Sequence, residues 1–183
     1  RGVEERTRKL FEVCKLRRMP IFTFVNKCDR AGEDPLKLLD DVEADLGIRC
    51  YPVTWPILRG TEFLGVYHRG AGSIHLFERG HDHGQKRASA YVADLDDPSV
   101  HELIGGEAHD RLREELELLD MLGSGVDRES FLAGEVSPTF FGSALTNFGV
   151  EPFLESFLEY SPSPVPREAN GRTVPPEDPD FTG

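Results

Sequence analysis

The feature that most constrains the fold of this chain is a short apolar run that ends abruptly in a polar cluster. Residues 21–25 read Ile-Phe-Thr-Phe-Val, which is typical of a parallel β-strand covered on both faces. The next four residues, Asn-Lys-Cys-Asp, are too polar to continue such a strand. Ligands of open α/β sheets lie just beyond the carboxyl ends of the strands. The sequence therefore predicts an α/β sheet with a binding site at residues 26–29.

The spacing Asn-Lys-x-Asp suits a site that recognises guanine. The carboxylate of Asp29 can accept hydrogen bonds from both the N1–H and the 2-amino group of guanine, and adenine lacks this pair of donors. Asn26 can bridge the base edge to neighbouring loops, and the alkyl stem of Lys27 can lie along the base plane. Because a motif of three fixed residues is weak by itself, a second feature is needed.

The segments around this motif continue the α/β pattern and then leave it. Apolar residues at helical spacing predict a helix over residues 2–18, and Asp34-Pro35 predicts the start of a second helix that ends at Gly47. From residue 48 to about 135, short β-rich runs alternate with glycine-rich turns, around an acidic helix near residues 107–121. The predicted strands of this stretch are residues 50–54, 63–68, 73–78 and 88–95. This pattern predicts a mixed α+β insertion.

The α/β pattern resumes after the insertion and supplies the second feature. A β-rich run at residues 136–141 ends in Gly-Ser-Ala-Leu, and a helical pattern follows. Small residues at Ser143 and Ala144 allow backbone N–H groups to approach a ligand, and the N–H of Ala144 can donate to guanine O6, where adenine carries an amino group. Leu145 can cover the base face opposite Lys27. Two loops thus converge on one purine, and each rejects adenine.

The predicted organisation has four segments. Residues 1–47 and 136–160 form the α/β part, residues 48–135 form the insertion, and the proline-rich residues 161–183 form an extended linker toward a following β-barrel domain. No apolar run is long enough to span a bilayer. The three cysteines are scattered and lack metal spacing, which suits a reducing cytosol. The expected location is therefore cytoplasmic.

Charge and spacing exclude several other functions. The net charge of −12, from 21 basic and 33 acidic residues, argues against the broad phosphate-binding surface of a DNA-binding protein. No metal site is predicted, because His81 and His83 lie in a glycine-flanked turn without a third ligand. The acidic residues 94–97 lack the glycine and glutamate of a calcium loop. No catalytic Ser/His/Asp or Cys/His arrangement is present.

With both loops considered together, the chain resembles the guanine-nucleotide domain of translational GTPases, and within them the class II release-factor branch. The resemblance covers nearly the whole chain and includes the stretches FVNKCDR, PVTWPI and FFGSALTNFGV. It implies the C-terminal half of a doubly wound P-loop GTPase domain that binds GTP or GDP. By motif match, the resemblance assigns guanine binding to Asn26, Lys27, Asp29, Ser143, Ala144 and Leu145.

The same resemblance implies a ribosome-dependent GTPase that promotes the departure of class I release factors after termination. The chain contains no phosphate-binding G-x-x-x-x-G-K-[ST] loop, no switch segment with a magnesium-binding Thr, and no D-x-x-G motif followed by a catalytic His. In the family these elements precede the present first residue, and Mg²⁺ is implied only for the complete protein. We therefore expect this chain to carry the base-reading loops and to be inactive in hydrolysis on its own.

Two alternatives remain open at this point. The nearest is a translocase similar to elongation factor G, which shares both GTPase motifs. The other is a ribosome-contacting module with no nucleotide function.

Because the insertion is acidic, basic ribosomal proteins are the expected partners rather than naked RNA.

Overall fold

Two β-sheets of different type organise the chain. The computed structural model describes residues 3–17, 19–30, 32–77, 90–121, 123, 125–164, 166–169 and 171–179. The helices of this part are α1 (Glu5–Leu16), α2 (Pro35–Leu46), α3 (Pro98–Ile104), α4 (Gly106–Asp120), α5 (Arg128–Leu132) and α6 (Val150–Tyr160). Its strands are β1 (Thr23–Val25), β2 (Arg49–Pro52), β3 (Thr54–Arg59), β4 (Glu62–His68), β5 (Ser73–Phe77), β6 (Ala90–Asp94), β7 (Val136–Phe141), β8 (Arg167–Ala169) and β9 (Arg172–Val174).

The first sheet is parallel, with the strand order β1–β7–β2. Its central strand, β7, is buried at all six residues. This is expected of a parallel strand, because helices cover both faces of such a sheet. Phe24 of β1 lies opposite Phe140 of β7, and Cys50 of β2 lies opposite Ser137 of β7. All three carboxyl ends therefore lie at the same edge of the sheet.

Helices pack on both faces of this sheet. Neighbouring residues of a strand point to opposite faces, and Phe140 and Phe141 follow this rule. On one face, the ring of Phe140 lies 5.3 Å from that of Phe153 in α6. On the other face, Phe141 belongs to the same apolar cluster as Leu39 and Val42 of α2. The predicted α/β fold is confirmed.

Helix α2 begins and ends where the sequence predicts. The Oδ1 atom of Asp34 accepts hydrogen bonds from the backbone N–H groups of Leu36 and Lys37, at 3.0 and 3.3 Å. Pro35 occupies the first turn, where its missing N–H costs nothing. Gly47 ends the helix in the left-handed region, at a φ of 64°. These caps fix the position of α2 directly after the polar cluster.

The second sheet is antiparallel, with the order β3–β4–β5–β6. Its strands are joined in sequence order, and helices α3 and α4 follow them along the chain. Trp55 of β3 is fully buried and donates its Nε1–H to Glu115 of α4 at 2.7 Å. Leu112, Leu116 and Leu119 of α4 recur at helical spacing and are all buried. The mixed character predicted for this stretch is present in the structure.

The strand at residues 49–52 differs from the sequence prediction. The sequence assigned it to the insertion, but β2 pairs with β7 in the parallel sheet. The antiparallel sheet begins only at Thr54, so the strand at residues 49–52 lies outside that sheet. The reason is that a short β-rich run does not encode its pairing partner. The division into domains remains a prediction.

Two elements of the insertion were not predicted. Strand β3 contains Pro56, and a proline argues against a strand unless the strand lies at a sheet edge. The structure places β3 at that edge, which explains why proline is tolerated there. Helix α3, at residues 98–104, is only two turns long, so its apolar periodicity is weak.

The proline-rich tail is not extended throughout. Strands β8 and β9 form a two-stranded antiparallel hairpin, with Gly171 at a φ of 76° in its turn. Val174 of β9 is buried. The prediction of a wholly extended linker over residues 161–183 therefore does not hold for Arg167–Ala169 and Arg172–Val174, because strands of three residues give too few positions for an alternating pattern to show.

Two predictions fall on residues that the structure does not describe. They are the glycine-flanked turn with His81 and His83, and the first residues of the predicted strand at 88–95, of which β6 covers Ala90–Asp94. Among the residues that are described, none of the helices has the length and hydropathy needed to cross a membrane.

Candidate functional site

Two loops lie side by side where β1 and β7 end. We call residues 26–29 the first loop and residues 143–148 the second loop. Gly142, just before the second loop, donates its N–H to the carbonyl of Val25 at 3.0 Å and accepts the N–H of Cys28 at 3.0 Å. These two bonds continue the pairing of β1 and β7 beyond the sheet. The predicted convergence of the loops thus has a direct backbone basis.

Asn26 joins the two loops through its side chain. Its Oδ1 atom accepts the backbone N–H of Lys27 at 2.8 Å and that of Ala144, 118 residues further along the chain, at 2.9 Å. Because both bonds use the oxygen, the Nδ2 group is the part of this side chain left to donate to a ligand. Asn26 is itself exposed, so this donor is accessible to a purine acceptor.

Lys27 has an unusual backbone conformation. Its φ is 71°, in the left-handed region that costs a residue with a side chain about 1–2 kcal/mol. Such a residue persists where its surroundings determine the conformation. Here the flanking hydrogen bonds of Asn26 and Cys28 do so. A backbone held in this way at the end of a strand is a common feature of ligand sites, which supports a functional role for the first loop.

Asp29 presents a carboxylate at the end of the first loop. Its side chain is 23% exposed, and its Oδ2 atom lies 4.0 Å from the Nε atom of Arg30. An ion pair at that distance and exposure contributes little to stability. The carboxylate is therefore able to exchange this neighbour for a ligand with two N–H donors.

Cys28, the third residue of the first loop, is partly buried. Its thiol donates to the carbonyl of Val25 at 3.3 Å. Burial is the main cause that raises the pKa of Cys28 to about 11, and the negative charge of Asp29 adds to the shift. The thiol is therefore neutral near neutral pH and supplies neither a nucleophile nor a charge to the site.

The second loop is closed on itself. Ser143 and Phe148 exchange two backbone hydrogen bonds, at 2.9 and 3.0 Å. The hydroxyl of Ser143 accepts the N–H of Thr146 at 3.4 Å, and Ser143 is fully buried. Ser143 therefore serves the shape of the loop, while Ala144 and Leu145 occupy its exposed part.

The structure differs from the sequence prediction in one detail of this loop. The N–H of Ala144, which the sequence directed at guanine O6, donates to Asn26 in the structure. Binding of O6 by this group requires that the bond to Asn26 be shared or exchanged. Leu145 is 77% exposed, which leaves its side chain accessible to cover a base.

Two glycines fix the base of the second loop, and sequence reasoning missed the role of the second one. A Cβ atom added to Gly142 would lie 2.3 Å from the carbonyl oxygen of Phe148, and one added to Gly149 would lie 2.4 Å from that of Phe141. Gly149 also has a φ of 71°. The signal available in the sequence was a second glycine directly before the helical pattern of α6.

The described residues offer no site for the magnesium ion that the resemblance implies. Within them, no three His, Cys, Asp or Glu side chains come together in a group that could hold a metal ion.

Comparison with known proteins defines the class. Residues 1–163 match the family described as elongation factor Tu GTP binding domain. The chain belongs to this family, and the fold and the two loops agree with that membership.

The particular relatives are release factors. The chain is 51% identical over 183 residues to peptide chain release factor 3 of Trichodesmium erythraeum and to that of Microcystis aeruginosa, and 50% identical over 182 residues to that of Symbiobacterium thermophilum. Each comparison covers all of this chain and 34% of the relative. The chain thus spans about a third of the length of these relatives. The predicted resemblance to the release-factor branch is confirmed.

A solved structure supports the fold alone. A crystal structure of a protein from Thermus thermophilus matches with a TM-score of 0.60 at 24% sequence identity. The match covers 88% of this chain and 25% of that chain.

Proposed function

We propose that this chain provides guanine recognition in a translational GTPase of the release factor 3 type. The observation that carries the proposal is the hydrogen bond from Ala144 to Asn26, which holds two predicted base-reading loops together at the carboxyl edge of a parallel sheet. Family membership and the release factor 3 relatives support the same conclusion.

Each loop has a distinct role in this proposal. The carboxylate of Asp29 accepts the N1–H and 2-amino hydrogens of guanine, and the Nδ2 group of Asn26 donates to an acceptor on the purine. The stem of Lys27 and the side chain of Leu145 cover opposite faces of the base. Ser143 holds the second loop in shape, so that the N–H of Ala144 is close enough to O6 to be shared with it.

The complete protein is proposed to bind and hydrolyse GTP on the ribosome and to promote the departure of class I release factors after termination. The phosphate-binding loop and the magnesium ligands are absent from these 183 residues. Since magnesium and phosphate contacts carry most of the catalysis of phosphoryl transfer, the chain alone is proposed to be inactive. A translation factor of this kind acts in the cytoplasm.

The insertion is proposed to contact a basic ribosomal protein. One side of α4 carries exposed acidic residues along most of its length: Glu107, Asp110, Glu114, Glu117 and Asp120. Charge complementarity favours a basic partner over the phosphates of naked RNA.

Competition between nucleotides tests the base-reading proposal. Fluorescently labelled GDP is bound to the full-length gene product and displaced by GTP, ITP, XTP or ATP. We expect GTP to compete best, ITP to compete less well because inosine lacks the 2-amino group, and XTP and ATP to compete poorly. Sites built around hydrogen bonds reject a mismatched ligand by roughly 10⁴-fold. If ATP displaces labelled GDP as well as GTP does, the proposed function is wrong.

A further inference from the structure

The second loop touches both sheets. On one side it is bonded to Asn26 of the first loop. On the other side, the ring of Phe148 stacks on that of Phe77, with centroids 4.3 Å apart and planes only 9° from parallel. Phe77 is the last residue of β5 in the antiparallel sheet. The second loop is therefore held between the base-reading part of the chain and the insertion.

This contact is firmly supported on the insertion side. The ring of Phe77 also lies 5.9 Å from that of Phe63, which is 6% exposed within β4. Aromatic rings at such distances attract each other beyond the effect of burial alone. Phe77 is thus anchored in the antiparallel sheet and presents a flat surface to Phe148.

Movement of Phe148 is transmitted directly to the base-reading part of the loop. Phe148 exchanges two backbone hydrogen bonds with Ser143, the residue before Ala144. The backbones at the base of the loop are closely packed, since a Cβ atom added to Gly142 would lie 2.3 Å from the carbonyl oxygen of Phe148. A shift of the Phe148 ring therefore changes the position of the Ala144 amide.

We propose that the stacked pair Phe77–Phe148 positions the second loop for base recognition, so that the antiparallel sheet sets the affinity of the site for guanine nucleotides. Both phenylalanines are positioning residues, since neither lies in the exposed part of the loop. This inference rests on the proposed function, because it assigns a determinant of affinity to the same site. It also gives the insertion a role in nucleotide binding in addition to its contact with a partner.

The test uses leucine variants of the full-length gene product. Phe77→Leu and Phe148→Leu keep an apolar side chain and remove the stack, and the double variant completes a cycle. Phe77→Leu also removes the ring contact with Phe63. Phe157→Leu is the matched control: Phe157 is also partly exposed, at 44%, and its ring contacts Phe22 away from the second loop. The first measurement is the dissociation rate of fluorescently labelled GDP in stopped flow.

We expect each single variant to accelerate GDP dissociation about threefold to tenfold, the range for loss of one aromatic pair. The double variant is expected to be no faster than the faster single variant, because one stacked pair is lost in all three cases. Dissociation from the Phe157→Leu variant stays at the wild-type rate. Single variants that dissociate GDP at the rate of this control, or a double variant with the product of the two single effects, overturn the inference.

A second measurement separates positioning from general loosening. 6-Thio-GTP carries sulfur at position 6, which accepts hydrogen bonds weakly, so the preference for GTP over 6-thio-GTP reports on the second loop. The preference for GTP over ITP reports on Asp29 in the first loop. We expect the Phe77 and Phe148 variants to lower the preference for GTP over 6-thio-GTP and to keep the preference for GTP over ITP. Equal loss of both preferences shows a merely structural role and overturns the inference.

The outcome for the wild-type protein distinguishes the two proposals. If wild-type protein does not prefer GTP over ATP, the proposed function itself fails. If that preference is present and the phenylalanine variants match the control, only the positioning role of Phe77 and Phe148 is wrong.

Discussion

The two loops of the candidate site differ in the groups that we propose for base recognition. The first loop follows β1, a strand at the edge of the parallel sheet, and its proposed contacts to the base come from the side chains of Asn26 and Asp29. The second loop follows β7, the fully buried central strand, and its proposed polar contact to the base is a backbone N–H. Recognition by a side chain requires particular residue types, whereas recognition by a backbone N–H requires a particular shape of the loop.

This difference explains how each loop is stabilised. Both loops have local bonds, such as Lys27 to Asn26 in the first loop and Ser143 to Phe148 in the second. The second loop is also held from two sides by distant residues, Asn26 on one side and Phe77 on the other. Substitutions that change a single functional group should therefore affect the first loop most, and substitutions that change shape should affect the second.

The largest expected effect is at Asp29, the side chain that we propose binds guanine. Asp29→Asn in the full-length gene product keeps one acceptor for N1–H but directs an NH₂ group at the 2-amino group, donor against donor. Xanthine carries a carbonyl at that position, which this NH₂ group can satisfy. We expect the preference to change from GTP to XTP by roughly 10⁴-fold. Nucleotide-dependent hydrolysis on ribosomes measures the change.

Asp40→Asn is the control for this substitution, because Asp40 is an exposed residue on α2, outside both loops. It should leave the preference for GTP unchanged. An Asp29→Asn variant that still prefers GTP shows that another group reads the base.

A smaller effect is expected at Gly149, which defines the shape of the second loop. Gly149→Ala combines left-handed backbone strain with a contact of 2.4 Å to the carbonyl of Phe141. We expect the free energy of unfolding to fall by about 2–4 kcal/mol. Urea denaturation of the chain, followed by fluorescence of Trp55, its single tryptophan, measures the change.

Gly60→Ala is the matched control for Gly149→Ala. Gly60 has a similar φ of 61°, but a Cβ atom there meets nothing within 4 Å. Only the strain is added, so the loss should be about 1–2 kcal/mol. Equal losses at the two glycines contradict the tight backbone contact at the base of the second loop.

The smallest effect is expected at Cys28, which lies within the first loop but supplies no base contact. Cys28→Ala should leave GDP affinity unchanged. Because burial is the main cause that raises the pKa of this thiol from 9.0 to about 11, its thiolate fraction at pH 8 is about 100-fold below that of an unperturbed thiol. Alkylation by iodoacetamide should be correspondingly slow and should accelerate as the pH rises through about 11.

The raised pKa of Cys28 also determines how its contribution to stability changes with pH. The folded state holds the proton of Cys28 more tightly than the unfolded state. Its contribution to stability is therefore complete below pH 9 and is lost as the pH rises toward about 11. Rapid alkylation of Cys28 at pH 8, located by mass spectrometry, contradicts the buried, hydrogen-bonded position of this thiol.

The sequence predicted the features that depend on local residue patterns. The caps of α2 at Asp34 and Gly47, the buried strand β7 and the two loops all follow from short stretches of sequence. Asn26 and Asp29 could be selected as candidates because recognition through side chains depends on residue types, which are visible in the sequence.

The features that were missed depend on contacts between distant residues. The pairing of β2 with β7 and the stack of Phe77 on Phe148 join segments that are far apart in the chain. The bond that holds the Ala144 amide comes from Asn26, 118 residues earlier. Strand β3 was not predicted because it contains Pro56, and a proline is tolerated in a strand only at a sheet edge, a position that the sequence does not show. No local pattern encodes these pairings.

A crystal structure of the full-length gene product with GDP tests the central claim most directly. We predict both carboxylate oxygens of Asp29 within about 2.7–3.2 Å of guanine N1 and N2, the hydrogen-bonding range. The Ala144 amide should lie at a similar distance from O6, with Leu145 and the Lys27 stem on opposite faces of the base. A guanine base bound away from residues 26–29 and 143–148, or turned so that Asp29 contacts neither nitrogen, would contradict the claim that these two loops read guanine.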